Sequence, residues 1–271
     1  MFIISNSNRW LKYKCFSFSG GEVSVKLDPD ETSFVHDNKR PATIQAHITN
    51  PSQIMELCLL VDALRRRYGD IEIHFVCPYL PYARQDRVCA KGESLSLKVF
   101  ADIINSLHFK SVTVADVHSD VSLALINHVY NVPVEDLLGR FPGIFIGSPV
   151  LVAPDAGSLK KVLKVAQSYC KEMIRADKIR NVETGEITST VVYTDHLGKT
   201  PVLVVDDICD GGRTFIELAK ELQTKTNGAL YLYVTHGIFS KGLDELLKYY
   251  DKIYCPYVFP NVTPHERLIK P

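Results

Sequence analysis

The segment VLVVDDICDGGRTF, residues 202–215, places acids where an apolar strand gives way to a helix. These acids are Asp206, Asp207 and Asp210. Ligands of open α/β sheets bind beyond the carboxyl ends of strands, where carboxylates can accept hydrogen bonds from sugar hydroxyls. We therefore expect a polyol site at the end of this strand. The structural alternative is an ordinary strand–turn–helix joint with solvated acids.

A glycine-rich turn follows these acids and has the properties of a phosphate site. Gly211 and Gly212 allow the backbone to turn tightly. The helix that begins at Arg213 and Thr214 presents free N–H groups, which attract phosphate oxygens. Acids followed by glycines thus predict a ligand that is both a polyol and a phosphate, as ribose 5-phosphate is.

The composition is that of a globular protein with one large or two medium domains, since the chain has 271 residues, of which 46% are hydrophobic and 23% charged. Lys+Arg and Asp+Glu both number 31, which argues against a general nucleic-acid binder. The 7 cysteines include no C-x-x-C pair and favour free thiols in a reducing cytoplasm. No apolar run is long enough to span a membrane, and the first residues lack the layout of a signal peptide.

Strands and helices alternate along the chain, which predicts an α/β fold with mainly parallel sheets. The strand candidates are IEIHFVCPY (71–79), SVTVADVH (111–118), PVLVAPD (149–155), PVLVVDD (201–207) and ALYLYVTH (229–236). The clearest helix begins with Asn50 as its cap and Pro51 in its first turn. We assign the three arginines at 65–67 to a solvated helix end. Glycine and proline cluster in residues 137–149 and predict two small α/β domains, 1–140 and 141–271.

Several segments, in a common order over roughly residues 16–256, resemble the ribose-phosphate pyrophosphokinase (PRPP synthetase) family. The segments are FSGGEVSV (18–25), PYLPYARQDR (78–87), VADVHSD (114–120), APDAG (153–157) and THGIFS (235–240). The acid–glycine segment resembles the ribose-phosphate motif that this family shares with type I phosphoribosyltransferases. The resemblance implies two similar phosphoribosyltransferase-like (type I) α/β domains, the first with nucleotide-binding segments and the second with the ribose-phosphate loop.

The resemblance also implies a reaction, in which Mg²⁺ assists transfer of the diphosphoryl group of ATP to the anomeric hydroxyl of ribose 5-phosphate, giving PRPP and AMP. Lys178 and Arg180 match the family's flexible-loop K-x-R and would neutralise developing charge. His118 would take part in catalysis and hold metal together with Asp116 and Asp155. The structural alternatives are an exposed charged loop for Lys178 and Arg180, a satisfied strand-end histidine for His118, and a turn-capping aspartate for Asp155.

The remaining expected contacts divide between nucleotide and ribose phosphate. The nucleotide would contact Phe18, Glu22, Arg84 and Gln85. The ribose phosphate would contact Asp155, Asp206, Asp207, Asp210, Gly211, Gly212, Arg213 and Thr214. An aromatic ring suits the face of adenine, a guanidinium suits triphosphate oxygens, and an amide suits a base edge.

Three departures from the family pattern bear on specificity and assembly. Gly20 stands where the family has an aspartate, so Glu22 would supply that adenine contact. Gly211 and Arg213 stand where the family has threonine and a second glycine, and they suit a larger 5-substituted acceptor such as ADP-ribose. After YVFPNVTPHERLIKP the family's last strand and helix have no counterpart, and we expect a C-terminally short member that forms a dimer or hexamer.

Two other classes of protein remain open from the residues alone. One is a phosphoribosyltransferase that consumes the diphosphate product, although PYARQDR and ADVH argue against it. The other is a non-catalytic relative that binds and regulates partners. Retention of the catalytic and acidic residues argues against that reading.

Overall fold

The computed structural model describes residues 2–6, 9–29, 41–180 and 187–271. The first compact unit spans Met1–Val132 and the second Pro133–Pro271. The elements of the first unit are β1 (Ile3–Asn6), β2 (Arg9–Leu11), β3 (Tyr13–Ser17), β4 (Val23–Leu27), β5 (Ala42–Gln45), α1 (Pro51–Tyr68), β6 (Ile73–Val76), α2 (Ser96–Ser106), β7 (Ser111–Ala115), α3 (Val121–Leu125) and β8 (Val129–Val132).

The second unit continues the α/β alternation and confirms the predicted fold class. Its elements are α4 (Val134–Leu138), β9 (Val150–Ala153), α5 (Leu159–Ser168), β10 (Met173–Arg180), β11 (Ile187–Val192), β12 (Val202–Cys209), α6 (Arg213–Gln223), β13 (Leu230–Gly237), β14 (Lys252–Tyr254), β15 (Tyr257–Val258) and β16 (Leu268–Ile269). A 3-10 turn at Leu246–Lys248 precedes β14.

The division between the units lies ahead of the 140/141 boundary expected from the sequence. The short helix α4 packs on α5, so its residues belong with the second unit. The Tyr169 hydroxyl donates a 2.8 Å hydrogen bond to the Glu135 carbonyl and ties the two helices together. The glycines and prolines of residues 137–149 therefore form a loop inside the second unit.

The main sheet of the first unit has six strands in the order β2-β1-β5-β6-β7-β8. The strands β5, β6, β7 and β8 pair in parallel, while β1 pairs antiparallel with β2 and with β5. The strands β3 and β4 form a separate two-stranded antiparallel ribbon. The core packs buried apolar residues of the main sheet against α1 and α2, including Leu57, Leu64, Phe75 and Phe100.

The helix α1 begins where its sequence predicts. Asn50 Oδ1 accepts a 3.1 Å hydrogen bond from the Gln53 backbone N–H, and Gln53 Oε1 accepts one of 3.3 Å from the Asn50 backbone N–H. This reciprocal capping box pairs N–H groups that a helix start would otherwise leave open. Pro51 occupies the first turn, where a missing N–H has no cost.

The arginines at the end of α1 correct the prediction of a solvated helix end. Arg65 donates a 2.6 Å hydrogen bond to the Leu107 carbonyl, and Arg67 donates one of 2.6 Å to the Asp28 carbonyl. Only Arg66 of the three matches the prediction, since its side chain is 78% exposed beside Asp62. The helix end thus binds carbonyls at the end of α2 and at the end of the β3–β4 ribbon.

The sheet of the second unit has eight strands in the order β11-β10-β9-β12-β13-β14-β16, with β15 also paired to β13. Apart from the antiparallel β10–β11 hairpin, all pairings are parallel. Central strands such as β9 are buried on both faces, which explains their continuous apolar sequences. Among the described residues, no helix combines the length and apolarity that a membrane crossing would need.

A glycine at the end of β13 is required by the close approach of an aromatic ring. A Cβ at Gly237 would overlap the ring of Phe239, which is 3% exposed. We therefore expect Gly237→Ala to lower the free energy of unfolding by roughly 1–3 kcal/mol, the usual cost of overpacking a core. Denaturant unfolding measures it, and Gly211→Ala is the control, since an added methyl there meets ordinary contacts at 3.7 Å. Equal stability of both variants would contradict this role of Gly237.

Candidate active site

The topology of the second unit creates a crevice between two neighbouring strands. From β9 the chain passes through α5 to β10 on one side, and from β12 it passes through α6 to β13 on the other. Neighbouring strands whose connections leave in opposite directions form a topological switch point, where ligands of α/β sheets bind. The loop after β9 carries Asp155, and the end of β12 carries the acidic segment, so the topology brings both to this crevice.

The strand β12 ends two residues later than predicted, so Asp206 and Asp207 lie inside it and are not its last residues. The strand continues to Cys209 because β13 pairs with it through Gly237. Successive residues of a strand point to opposite faces, so Asp206 and Asp207 leave the backbone in opposite directions. Asp207 is only 6% exposed. The reading of this segment as a joint with solvated acids is wrong for Asp207.

The acidic residues perturb one another strongly. Burial, then the adjacent Asp207 carboxylate and more weakly that of Asp155, raises the pKa of Asp206 well above its usual range. Lys161 opposes this shift, and its ammonium lies 3.8 Å from Asp207 Oδ2. Carboxylates that repel one another and are shielded from water are stabilised by a ligand that brings a cation or hydroxyl donors. The arrangement is therefore suited to a sugar bound together with a metal ion.

Asp155 takes part in the turn that follows β9. Its Oδ1 accepts a 3.1 Å hydrogen bond from the Ser158 N–H, while the Ser158 hydroxyl donates one of 2.9 Å to the Asp155 carbonyl. The turn-capping role given above as the structural alternative is therefore present. Because a carboxylate has several acceptor positions, this bond leaves Asp155 capacity to bind a ligand as well. The turn holds the carboxylate in place.

The glycine turn after β12 leads into α6 as predicted, but only one glycine is conformationally necessary. Gly212 has φ +79° and its added Cβ would meet Leu246 at 3.2 Å. Gly211 has no such constraint, since an added Cβ would meet only Lys241 at 3.7 Å and Ser240 at 3.9 Å. The assignment of the tight turn to both glycines is therefore wrong for Gly211. The space at this position would accept a methyl group at ordinary contact distances.

The start of α6 offers backbone donors for an anion. Gly212 caps the helix, and within the described structure no side chain caps it by hydrogen bonding. The N–H groups of the first turn carry the positive end of the helix dipole, which favours phosphate. Arg213 is exposed and Thr214 is half-buried in that turn. The predicted phosphate residues thus lie together at one helix terminus.

In the first unit, the loops after β6 and β7 are joined by side chains. The Ser119 hydroxyl donates a 2.6 Å hydrogen bond to Asp86 Oδ2, and Arg87 lies 3.0 Å from Asp86 Oδ1. The Ser119 bond, followed by the contact with Arg87, lowers the pKa of Asp86. Arg84 and Gln85, in the same loop, are exposed. The structure thus links the loop of these two predicted nucleotide residues with the 116–120 segment.

The predicted metal residues of the first unit differ in exposure. Asp116 follows β7 with φ +43° and is 4% exposed, whereas His118 is exposed. Among the described residues, no three His, Cys, Asp or Glu side chains come together as a metal site. A carboxylate with one or two partners still fits Mg²⁺, which commonly keeps waters and binds substrate phosphates. The donor set therefore suits a metal delivered with a nucleotide better than a closed protein cage.

The β3–β4 ribbon carries the remaining predicted nucleotide residues at its tip. Phe18 is 58% exposed, and its ring meets that of Phe16 edge to face at 5.2 Å. Glu22 folds back over Gly20, so that a Cβ at Gly20 would lie 2.6 Å from Glu22 Oε2. The Glu22 carboxylate thus occupies the space that a side chain at position 20 would need. This geometry fits the expectation that Glu22 compensates for the missing aspartate.

Lys178 and Arg180 lie in the hairpin of the second unit. Their backbone belongs to β10, where Lys178 pairs with Thr190 of β11, so the expected loop is a strand at these two positions. Their side chains lie outside the described part of the structure.

Two residues near the predicted sites were not predicted from the sequence. Lys161 lies beside the acids of β12, and Asp86 joins two loops of the first unit. Lys161 had a detectable signal, because a cation in the first turn of a helix opposes the helix dipole and so indicates an acidic partner. The Ser119–Asp86 contact had no comparable signal, since it depends on the parallel pairing of β6 with β7.

A cavity of about 580 Å³ opens elsewhere in the first unit. Its lining includes Arg65, Glu72, His108, Lys110 and His128, at the amino ends of β6, β7 and β8. The 78–87 and 116–120 loops follow the opposite, carboxyl ends of the same sheet. The cavity is therefore separate from the candidate site.

Two α/β units with mainly parallel sheets, one bearing acids and a glycine turn at its switch point, define a protein of the phosphoribosyltransferase-like class. A solved structure agrees with this fold. The phosphoribosylpyrophosphate synthetase of Mycobacterium smegmatis matches with a TM-score of 0.79, covering 96% of this chain and 85% of its own, at 22% sequence identity.

Sequence comparison identifies the family. Residues 7–107 match the N-terminal domain of ribose phosphate pyrophosphokinase. The ribose-phosphate pyrophosphokinase of Thermococcus kodakarensis is 30% identical over 253 residues, which cover 91% of this chain and 88% of that protein. That of Gloeobacter violaceus is 33% identical over 257 residues, covering 92% and 73%. The chain belongs to the ribose-phosphate pyrophosphokinase family and is a diphosphotransferase-type enzyme.

The pKa of Asp206 predicts how stability varies with pH. A raised pKa in the folded state means that folding disfavours the ionised carboxylate, so stability is lost as pH rises through that value. Asp206→Asn cannot ionise and should raise the melting temperature of the ligand-free protein, by an amount that grows as pH rises above the ordinary carboxyl pKa of about 4. Thermal unfolding with a chelator measures this. Asp244→Asn, at an exposed site, is the control. A gain that does not vary with pH would refute the assignment.

Proposed function

We propose that the protein transfers the diphosphoryl group of ATP to the anomeric hydroxyl of a ribose 5-phosphate type acceptor, which gives PRPP and AMP when the acceptor is ribose 5-phosphate. The observation that carries this proposal is the position of the acids next to an uncapped helix start at the switch point. A phosphorylated sugar needs both acceptors for its hydroxyls and donors for its phosphate. Membership of the family supports the same reaction.

The second unit would bind the acceptor. The carboxylates of Asp206 and Asp207 accept hydrogen bonds from ribose hydroxyls, and Asp210 continues the acidic wall. The N–H groups that begin α6 bind the 5-phosphate together with the Thr214 hydroxyl. These contacts bind groups of the acceptor that do not react, and they take no part in bond making.

The first unit would bind the donor nucleotide. Phe18 stacks on the adenine ring, and Glu22 accepts a hydrogen bond from its amino group. Arg84 binds triphosphate oxygens and Gln85 a base edge. The exposure of the Phe18 and Arg84 side chains supports this assignment, since a nucleotide can reach them without displacing core residues.

Mg²⁺ is the implied cofactor, and its candidate ligands are Asp116 and His118 in the first unit and Asp155 in the second. When bound, it would neutralise charge on phosphate oxygens and so favour attack at the β-phosphorus. In the transfer itself the acceptor oxygen forms a bond to the β-phosphorus, the bond from that phosphorus to the α,β-bridging oxygen breaks, AMP leaves, and the hydroxyl proton passes to solvent. Lys178 and Arg180 would neutralise the charge that develops during this transfer.

The nucleotide product tests the reaction type. Attack at the β-phosphorus releases AMP, whereas an ordinary kinase attacks the γ-phosphorus and releases ADP. We expect purified protein with Mg²⁺, ATP and ribose 5-phosphate to form AMP and a diphosphorylated sugar in equal amounts, and none without the acceptor. Chromatography of the nucleotides with mass spectrometry of the sugar measures both. ADP as the sole nucleotide product would overturn the proposal.

A second acceptor, ADP-ribose, is favoured by a specific feature of the phosphate turn. Gly211 places no side chain beside Ser240 and Lys241, and the exposed Arg213 lies in the adjoining helical turn. A 5-diphosphate that continues outward needs space and additional cations, and a guanidinium binds phosphate oxygens well. The same transfer on ADP-ribose would use the same acids and the same donor.

Comparison of the two acceptors decides between them. If the acceptor is ADP-ribose, Arg213→Gly should lower kcat/KM for ADP-ribose about tenfold or more, since it removes a charged hydrogen-bond donor, and should leave ribose 5-phosphate nearly unchanged. Lys220→Met, on an exposed part of the same helix, is the control. If the protein turns over ribose 5-phosphate but not ADP-ribose, Gly211 and Arg213 do not extend the acceptor site.

A further inference from the structure

Lys161 lies against the acidic residues of the second unit without being part of the family motifs discussed above. It occupies the first turn of α5, directly after the turn that holds Asp155. Its ammonium lies 3.8 Å from Asp207 Oδ2, and the two side chains are 20% and 9% exposed. Both members of this ion pair are therefore largely removed from water.

The position of Lys161 needs a physical explanation. Burying an ammonium group costs free energy unless an opposite charge compensates it. The start of a helix also carries a partial positive charge, which repels a cation there. Two unfavourable effects thus act on Lys161, and the nearby carboxylates of Asp206 and Asp207 provide the compensating attraction. The same attraction lowers the repulsion between these acids.

We propose that Lys161 is a positioning residue for the acceptor, which holds the Asp207 carboxylate in place and acts as the internal counter-ion of the acids. The proposal rests on the proposed function, in which these acids bind ribose hydroxyls. At 3.8 Å the ammonium attracts Asp207 without forming a hydrogen bond. The contact between the two side chains is therefore electrostatic.

This role has a distinct kinetic consequence. Ribose hydroxyls that are not transferred contact the acids equally in the ground state and in the transition state. Loss of such uniform binding raises KM and leaves kcat nearly unchanged. A residue that neutralises charge on the transferring group would instead lower kcat. Lys161 therefore belongs to the first type, and Lys178 and Arg180 to the second.

Steady-state kinetics of three variants test the proposal. Lys161→Met should raise KM for ribose 5-phosphate about tenfold or more, with KM for ATP and kcat within about threefold of the wild type. Lys161→Arg restores the cation and should recover most of the acceptor affinity. Lys164→Met, exposed on the same helix, should behave as the wild type. An unchanged acceptor KM, a loss confined to kcat, or failure of arginine to rescue would overturn the proposal.

A second measurement separates this proposal from the proposed function. Melting temperatures of ligand-free Lys161→Met, Asp207→Asn and the double variant form a cycle that needs no substrate. If the two residues are counter-ions, the double variant should be more stable than the sum of the single effects predicts. Additive effects would overturn the counter-ion role even in an active enzyme. If the effects of the two substitutions on melting temperature are coupled but the protein acts on no ribose phosphate, only the proposed function is rejected.

Discussion

The concentration of carboxylates at the switch point of the second unit is the constraint on which the site depends. Asp206 and Asp207 are adjacent in β12, and Asp155 follows the neighbouring strand β9. Their mutual repulsion and partial burial are unfavourable for the free protein, as the raised pKa of Asp206 shows. Strand pairing on both sides of β12 holds them there. Binding of a sugar and a cation would relieve the repulsion that the fold maintains.

The predicted phosphate-binding turn, residues 211–214, complements this group of acids. Gly212 adopts a left-handed conformation, which allows α6 to begin immediately after the acids. The positive end of that helix is thus a few residues from the carboxylates. The hydroxyls of a sugar phosphate would meet the carboxylates, and its phosphate would meet the helix start. A binding site of this kind discriminates by orientation, because a reversed ligand would place phosphate against carboxylate.

The first unit shows how side chains with no predicted binding role join loops and element ends. Ser119 and Asp86 join the segments that follow β7 and β6. Arg65 and Arg67 bind carbonyls at the ends of α2 and the β3–β4 ribbon. The two arginine contacts satisfy carbonyls just after the end of an element, where regular backbone hydrogen bonds end. The exposed residues Phe18, Arg84 and Gln85 are carried by segments that are held in this way.

The sequence by itself determined where α1 and α6 begin, the alternation of strands and helices, and the position of the acid–glycine segment, because these depend on local spacing and backbone preferences. The capping box at Asn50 is such a case. Family resemblance supplied the expected roles of the site residues. Only the tertiary structure decided that β12 extends past Asp207, that Lys161 faces the acids, and that Gly211 is not needed for the turn. These features depend on which strands pair and which side chains then approach, and such contacts between distant residues leave no periodic signal in the chain.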